Sequence, residues 1–180
     1  INQESGLLVD GFDTPPCLMM GHARPYYRTR IEENGYQNAK DLLAYTIDAN
    51  FYHPAALQAI VKRAKKRVTV RSLRKSNYYE DMKIIVDIFN DAWSENWGFL
   101  PFTEAEFKQL AKDFKLVLDF ELVKIAEVDG APEAFMVVAP NINEAIRDLN
   151  GRLLPFGWLK LLWRLKVKYP QTTRIPFMGV

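Results

Sequence analysis

The sequence predicts an α/β protein with a mixed, mostly antiparallel sheet flanked by helices, and three stretches point to it. Leu122 to Ala139 holds two apolar runs joined by Asp129-Gly130, a pair that favours a tight hairpin because Gly accepts the positive φ of a type I′ turn. Val68 to Leu73 alternates as a strand, and the residues between it and the hairpin repeat their apolar positions at helical spacing. Composition agrees: 180 residues, 48% of them hydrophobic, suit one globular domain or two partial ones with ample material for a core.

In chain order, Leu7-Leu8-Val9 and the turn-rich Asp13-Thr14-Pro15-Pro16 precede an expected strand over Cys17 to Met20. Pro25 suits the first turn of a helix and Gly35 a position just past its end, so Tyr26 to Asn34 reads as a short helix. Tyr36 to Asp48 alternates, with Leu43, Tyr45 and Ile47 on one side and Leu42, Ala44 and Thr46 on the other, and is expected to be a long strand. Pro54 to Arg67 is Ala-rich and ends in Lys62-Arg63 and Lys65-Lys66-Arg67, cations that complement a helix C-terminus. A solvated connector helix accounts for this cluster better than a phosphate or nucleic-acid site. A unit boundary is placed here, giving residues 1–66 and 67–180.

The second unit opens on strand Val68 to Leu73. Ser76 or Asn77 is positioned to cap a helix whose Met82, Ile85, Val86 and Phe89 form one stripe. A polar-aromatic connector from Asn90 to Phe99 leads to Thr103 with Glu106, a capping-box pair, and a second helix carrying Phe107, Leu110, Ala111 and Phe114. After the hairpin, whose Pro132 belongs at the turn's edge because it has no N–H to give, Asn141 or Asn143 caps a helix with Ile142, Ala145, Ile146 and Leu149, closed by Asn150-Gly151. Arg174 to Val180 is the last strand.

Charge and cysteine usage narrow the function classes. Formal charge is +2, with 24 basic against 22 acidic residues, so no global field marks a nucleic-acid binder. A single Cys17 and the absence of a signal-peptide pattern lead to the expectation of a reducing, cytoplasmic setting. No run of about eighteen apolar residues suggests a transmembrane helix. Because the chain begins at Ile1, it is expected to be a processed product or a fragment of something longer. His22 and His53, the two histidines, have no neighbouring Cys or carboxylate set, so no metal site is expected, and Cys17 in its apolar run reads as a structural thiol.

Strand, two helices, hairpin and strand over Val68 to Val180 resemble the N-terminal half of the GNAT (general N-acetyltransferase) superfamily. The motifs Asn90-Asp91-Ala92-Trp93, Asn96-Trp97-Gly98-Phe99 and Leu153-Leu154-Pro155-Phe156-Gly157 are similar to those of a group of bacterial GNAT-like proteins. The first unit, with Glu32-Glu33-Asn34-Gly35-Tyr36 between its two expected strands, is similar to the C-terminal portion of such a domain. The resemblance therefore implies the tail of one GNAT-like unit (1–66) followed by the head of a second (67–180), which either complete one another as a permuted domain or each need residues outside this chain, with exchange of elements in a homo-oligomer left open.

It implies an acyl-CoA-dependent N-acyltransferase, with acetyl-CoA or a longer acyl-CoA as cofactor and a small amine as acceptor. The family's pyrophosphate cradle, Arg/Gln-x-x-Gly-x-Gly/Ala after the fourth strand, offers backbone N–H groups at a helix N-terminus. None of the nine glycines stands in that motif; Gly21-His22-Ala23 comes nearest, with Leu18 where Arg or Gln is required. The backbone of Phe177, Met178 and Gly179 is the remaining cofactor candidate. The family's base for the acceptor amine is a carboxylate, and the last strand has none; Asp91, Glu95 and Glu127 are the substitutes, although exposed acids are more often solvated surface. The family's thiolate acid is a Tyr four residues before the Gly that closes the corresponding helix, where this sequence has Ile31, with Tyr26 and Tyr27 one turn earlier. Asn90, Trp93, Asn96 and Trp97, in the loop that borders the acceptor site in the resembled fold, are the substrate-binding candidates, since flat apolar walls with a few directional polar groups are how small-molecule sites are built. Anchoring of the loop by the two Trp is an equal reading.

Gly151 to Tyr169 supports a function of another class. Leu, Trp and Phe alternate there with Arg152, Lys160, Arg164, Lys166 and Lys168, a basic amphipathic pattern. The ordinary reading is a helix packed on the sheet with snorkelling cations. One alternative is a non-catalytic binding module whose aromatics and leucines enter a lipid headgroup boundary while the cations meet anionic lipid; the segment equally suits the lining of a pocket for a long apolar acyl chain or acceptor.

Overall fold

A computed structural model describes residues 6–48, 50, 52–117 and 119–180, with only the backbone of 114, 116 and 117 described. The chain divides into two compact units, Ile1–Ala64 and Lys65–Val180.

Unit 1 holds α1 (Tyr26–Glu33) and α2 (Ala55–Ala64). Pro25 stands at the N-cap of α1, and the helix closes where the N–H of Gly35, at φ 86°, donates to Glu32 O. Gly is suited to this left-handed position because it has no Cβ to clash. Two expected strands are not formed. At Cys17 to Met20 the chain turns, with Met19 at φ 55° and the Met20 N–H on Cys17 O. The described residues of Tyr36 to Asp48 lie in no strand, and both sides of the alternation face solvent, Leu42 being 81% and Tyr45 80% exposed. A strand needs a partner to satisfy its N–H and C=O groups, and the described residues of unit 1 contain no other strand.

Unit 2 is built around a four-stranded antiparallel sheet in the order β1-β2-β3-β4, with β1 Val68–Ser72, β2 Val123–Val128, β3 Ala131–Pro140 and β4 Thr173–Gly179. The hairpin turns at Asp129 (φ 51°) and Gly130 (φ 89°), both left-handed as a type I′ turn requires. Pro132 faces Glu127 where the register shifts by a bulge, a position that needs no N–H from it.

Helix α3 (Tyr78–Ala92) buries the expected stripe of Met82, Ile85, Val86 and Phe89. These meet Val123, Ile125, Phe135 and Val137 of the central strands, with Phe177 of β4 packed alongside. Each large apolar side chain buried in this way stabilises the fold by about 1.5–3 kcal/mol. Helix α4 (Glu104–Val117) starts with the capping box: the Glu106 N–H donates to Thr103 Oγ1 at 3.3 Å and the Thr103 N–H to Glu106 Oε2 at 2.9 Å. It adds Ala111, fully buried, whose carbonyl accepts the Tyr78 hydroxyl at 2.6 Å. Burial pushes the Tyr78 phenol up to about 12, with Tyr79 adding to the shift, so it remains a donor.

The chain after β3 departs from expectation. Helix α5 is short (Ile142–Ile146) and gives way to a turn in which Asn150 and Gly151 have positive φ. Helix α6 (Gly157–Trp163) continues into a π-helical turn at Arg164–Lys168, and neither contains a buried residue. The basic amphipathic segment is therefore not buried as a sheet-packed helix would be; Phe156 is 72% and Trp163 53% exposed. Among the described residues no helix is long and apolar enough to cross a membrane.

Candidate functional site

The end of α3, the loop from Trp93 to Phe102 and the end of β4 meet at one side of unit 2. Three contacts hold them. The Asn90 amide clamps the loop in both directions, its Oδ1 accepting from the Phe102 N–H at 3.0 Å and its Nδ2 donating to Phe102 O at 3.4 Å. The Trp93 indole stacks on Phe89, with ring centroids 5.3 Å apart, and its Nε1–H donates to Met178 O at 2.8 Å. Gly179 completes the junction, for a Cβ there would stand 2.8 Å from Phe135 Cε1 and 3.3 Å from Ala92 Cβ. Only a residue without a side chain lets β4 lie this close to α3.

Behind the loop lies a cavity of ≈ 30 Å³, lined by apolar atoms of residues that include Ile85, Phe89, Phe102, Leu110, Phe135 and Phe177. It has room for about one water but offers it no hydrogen bond, so it is a dry packing void of the core.

The substrate-binding candidates divide into two pairs. Asn90 and Trp93 are committed to holding the loop. Asn96 and Trp97 are exposed on its outer side, and the Asn96 backbone shapes the turn by donating to Trp93 O and accepting from Phe99. Asp91 and Glu95 are exposed beside them, the Asp91 carbonyl accepting from Ser94 N and Oγ. Glu127 is elsewhere, bonded at 2.6 Å to Arg71 Nε. Phe177, Met178 and Gly179 pair with Val137, Met136 and Phe135 of β3 at the edge of the sheet, and the Met178 carbonyl already accepts from Trp93. For a nucleotide cofactor the fit is incomplete. Six glycines at positive φ sit in turns or loops, and among the described residues no Gly-rich loop opens a helix as a phosphate cradle would.

Sequence reading missed Asp81. It lies on the buried stripe of α3, 0% exposed, and takes hydrogen bonds from Arg71 Nη1 and Nη2 at 2.9 Å, from Arg74 Nη2 at 2.7 Å and from the Arg74 N–H at 2.8 Å. Burial alone would raise its pKa, but the Arg74 and Arg71 bonds outweigh this and hold the carboxyl lowered to about 2. The signal was present: Asp81 shares the helical spacing of Tyr78 and Ile85, and Arg71 and Arg74 precede it by ten and seven residues. The cluster is satisfied internally, which marks it as a structural tie between β1 and α3. Among the described residues no group of three His, Cys, Asp or Glu is arranged to hold a metal ion.

The fold of unit 2 defines a class: a helix-flanked, four-stranded antiparallel α/β sheet compatible with a GNAT-like fold. No protein-family model matches the chain. It is 50% identical over 181 residues to Protein YghO of Escherichia coli strain K12 and 53% identical over 181 residues to a protein named bacterial ceramide synthase from Caulobacter vibrioides. Each alignment takes in 100% of this chain but only 46% and 47% of the two relatives, so the chain spans about half the length of the curated relatives it matches.

Proposed function

We propose that the chain is part of an N-acyltransferase that joins a long apolar acyl group to an amine. The observation that carries this is the 53% identity, along the whole chain, to a protein named bacterial ceramide synthase. Ceramide is an N-acylated long-chain amino alcohol, so the corresponding chemistry is amide formation at an amine nitrogen. The GNAT-like sheet of unit 2 is in keeping with such transfer.

In this reading Trp97 and Asn96 form the outer rim against which the acceptor rests. Asp91 or Glu95 takes the proton that the amine loses as its nitrogen bonds to the acyl carbon, while the bond from that carbon to the donor's sulfur breaks and the thiolate leaves to be protonated by solvent. Glu127 is a weaker candidate because Arg71 holds it. The acyl donor implied by the resemblance is an acyl-CoA, and among the described residues no Gly-rich loop opens a helix to cradle its phosphates. The assignment to unit 2 therefore concerns the acceptor end alone.

The test uses the protein expressed from its complete gene, incubated with palmitoyl-CoA or acetyl-CoA and sphinganine, with amide product detected by mass spectrometry. Product from palmitoyl-CoA is expected, reduced at least tenfold in Asp91→Asn or Glu95→Gln with folding unchanged. Absence of amide with either donor would sink the reading, and full activity in both variants would remove these carboxylates from it.

A further inference from the structure

The geometry points to a second property of unit 2: the 152–168 segment is a docking face for an anionic lipid surface. Its polarity is the reverse of an ordinary surface helix. Lys160 and Arg164, one turn apart, both grip Asp148, Lys160 Nζ at 2.6 Å, and Arg164 also donates to Ala145 O at 2.7 Å, so this flank fastens the segment to the turn after α5. The outward side carries Trp158 with Leu162 and Leu159 with Trp163, two pairs at i, i+4 that lie side by side, and Phe156 and Val167 extend it at either end. All six are exposed. An apolar patch this continuous on a folded unit marks an interaction site.

Charge selects lipid as the occupant. From Leu149 to Val180 there is no Asp or Glu, while Arg152, Lys160, Arg164, Lys166, Lys168 and Arg174 fall in the same stretch. The two carboxylates just before it are engaged: Asp148 by Lys160 and Arg164, and Glu144 by the N–H groups of Gln171 and Thr172. Arg152, Lys166 and Lys168 are exposed and take part in none of the ion pairs found among the described residues. Protein interfaces deplete Lys at their centre, whereas Trp and Leu interleaved with Lys and Arg match a headgroup boundary, where rings enter and cations meet phosphate. The Trp158 indole is already oriented, its Nε1–H donating to Pro155 O at 3.0 Å.

Flotation with vesicles decides this, using the protein from its complete gene and two compositions: phosphatidylcholine alone, and phosphatidylcholine with phosphatidylglycerol. The protein is expected to float with the anionic vesicles, with at least tenfold weaker binding for the pair Trp158→Ala and Trp163→Ala and for the pair Lys166→Glu and Lys168→Glu. Binding of the wild type should also weaken as salt rises. Lys166→Glu alone alters an exposed group away from Glu144, whose ionised form Lys168 favours, so it remains informative if either pair fails to fold. Wild-type protein that stays in solution, or variants that float equally well, would overturn the proposal. So would variants that change only the oligomeric state, since the face would then belong to a protein partner.

Discussion

Asp81 shows how much one side chain decides in this protein. A carboxylate with no exposure is tolerated because five N–H bonds of 3.2 Å or less, from Arg71 and Arg74, replace its water. Truncating it leaves Arg71, itself mostly buried, without its main partner, and breaking a buried pair in this way costs about 3–5 kcal/mol. Asp81→Ala should therefore lower the denaturation midpoint markedly, as chemical unfolding would show. The pH dependence has a definite sign. Because the folded pKa is about 2, below the ordinary 3.8, the ionised form favours the folded state above pH 3.8, and that contribution is lost as pH falls from 3.8 towards 2. Acid titration of Asp81→Asn should lack this component; an unchanged acid limb would show that another carboxylate governs it.

At the scale of elements, the loop between α3 and α4 is fixed by Asn90 more than by its tryptophans. Both ends of the Asn90 amide bond the Phe102 backbone, and Trp93 reaches the β4 edge, while Trp97 only decorates the outside. Asn90→Ala strands a partly buried N–H and C=O at Phe102 and should cost about 1–3 kcal/mol, read as a lower melting temperature, with faster proteolysis within 93–102. Trp97→Ala should leave stability within about 0.5 kcal/mol of wild type. Equal losses in the two variants would contradict this division of roles. Sequence alone marked all four residues because they share composition; only the hydrogen bonds separate holders from exposed groups. The elements of unit 2 that were legible, α3, α4 and the hairpin, are those whose local signals and burial agree: one apolar stripe, one capping box and one Asp-Gly turn. The 151–169 segment was ambiguous because its pattern serves a buried helix and a lipid-facing one equally.

On the scale of the whole chain, two units with different kinds of support follow one another. Unit 2 has a sheet and a core; in unit 1 the stretch expected to be a long strand is exposed, and among the described residues 37–48 makes no backbone hydrogen bond. Hydrogen exchange should find the amides of 37–48 unprotected and those of β2 and β3 the slowest in the chain. Comparable protection in the two regions would mean that 36–48 is paired after all. The sequence by itself determined the helices and the hairpin of unit 2, since periodicity, caps and turn residues act within a few positions of one another. Tertiary structure alone decided whether 36–48 found a strand partner, which face of 157–168 turned outward and where Asp81 met its arginines. Each of those depends on what a residue packs against, and alternation or amphipathicity reports only that one side differs from the other.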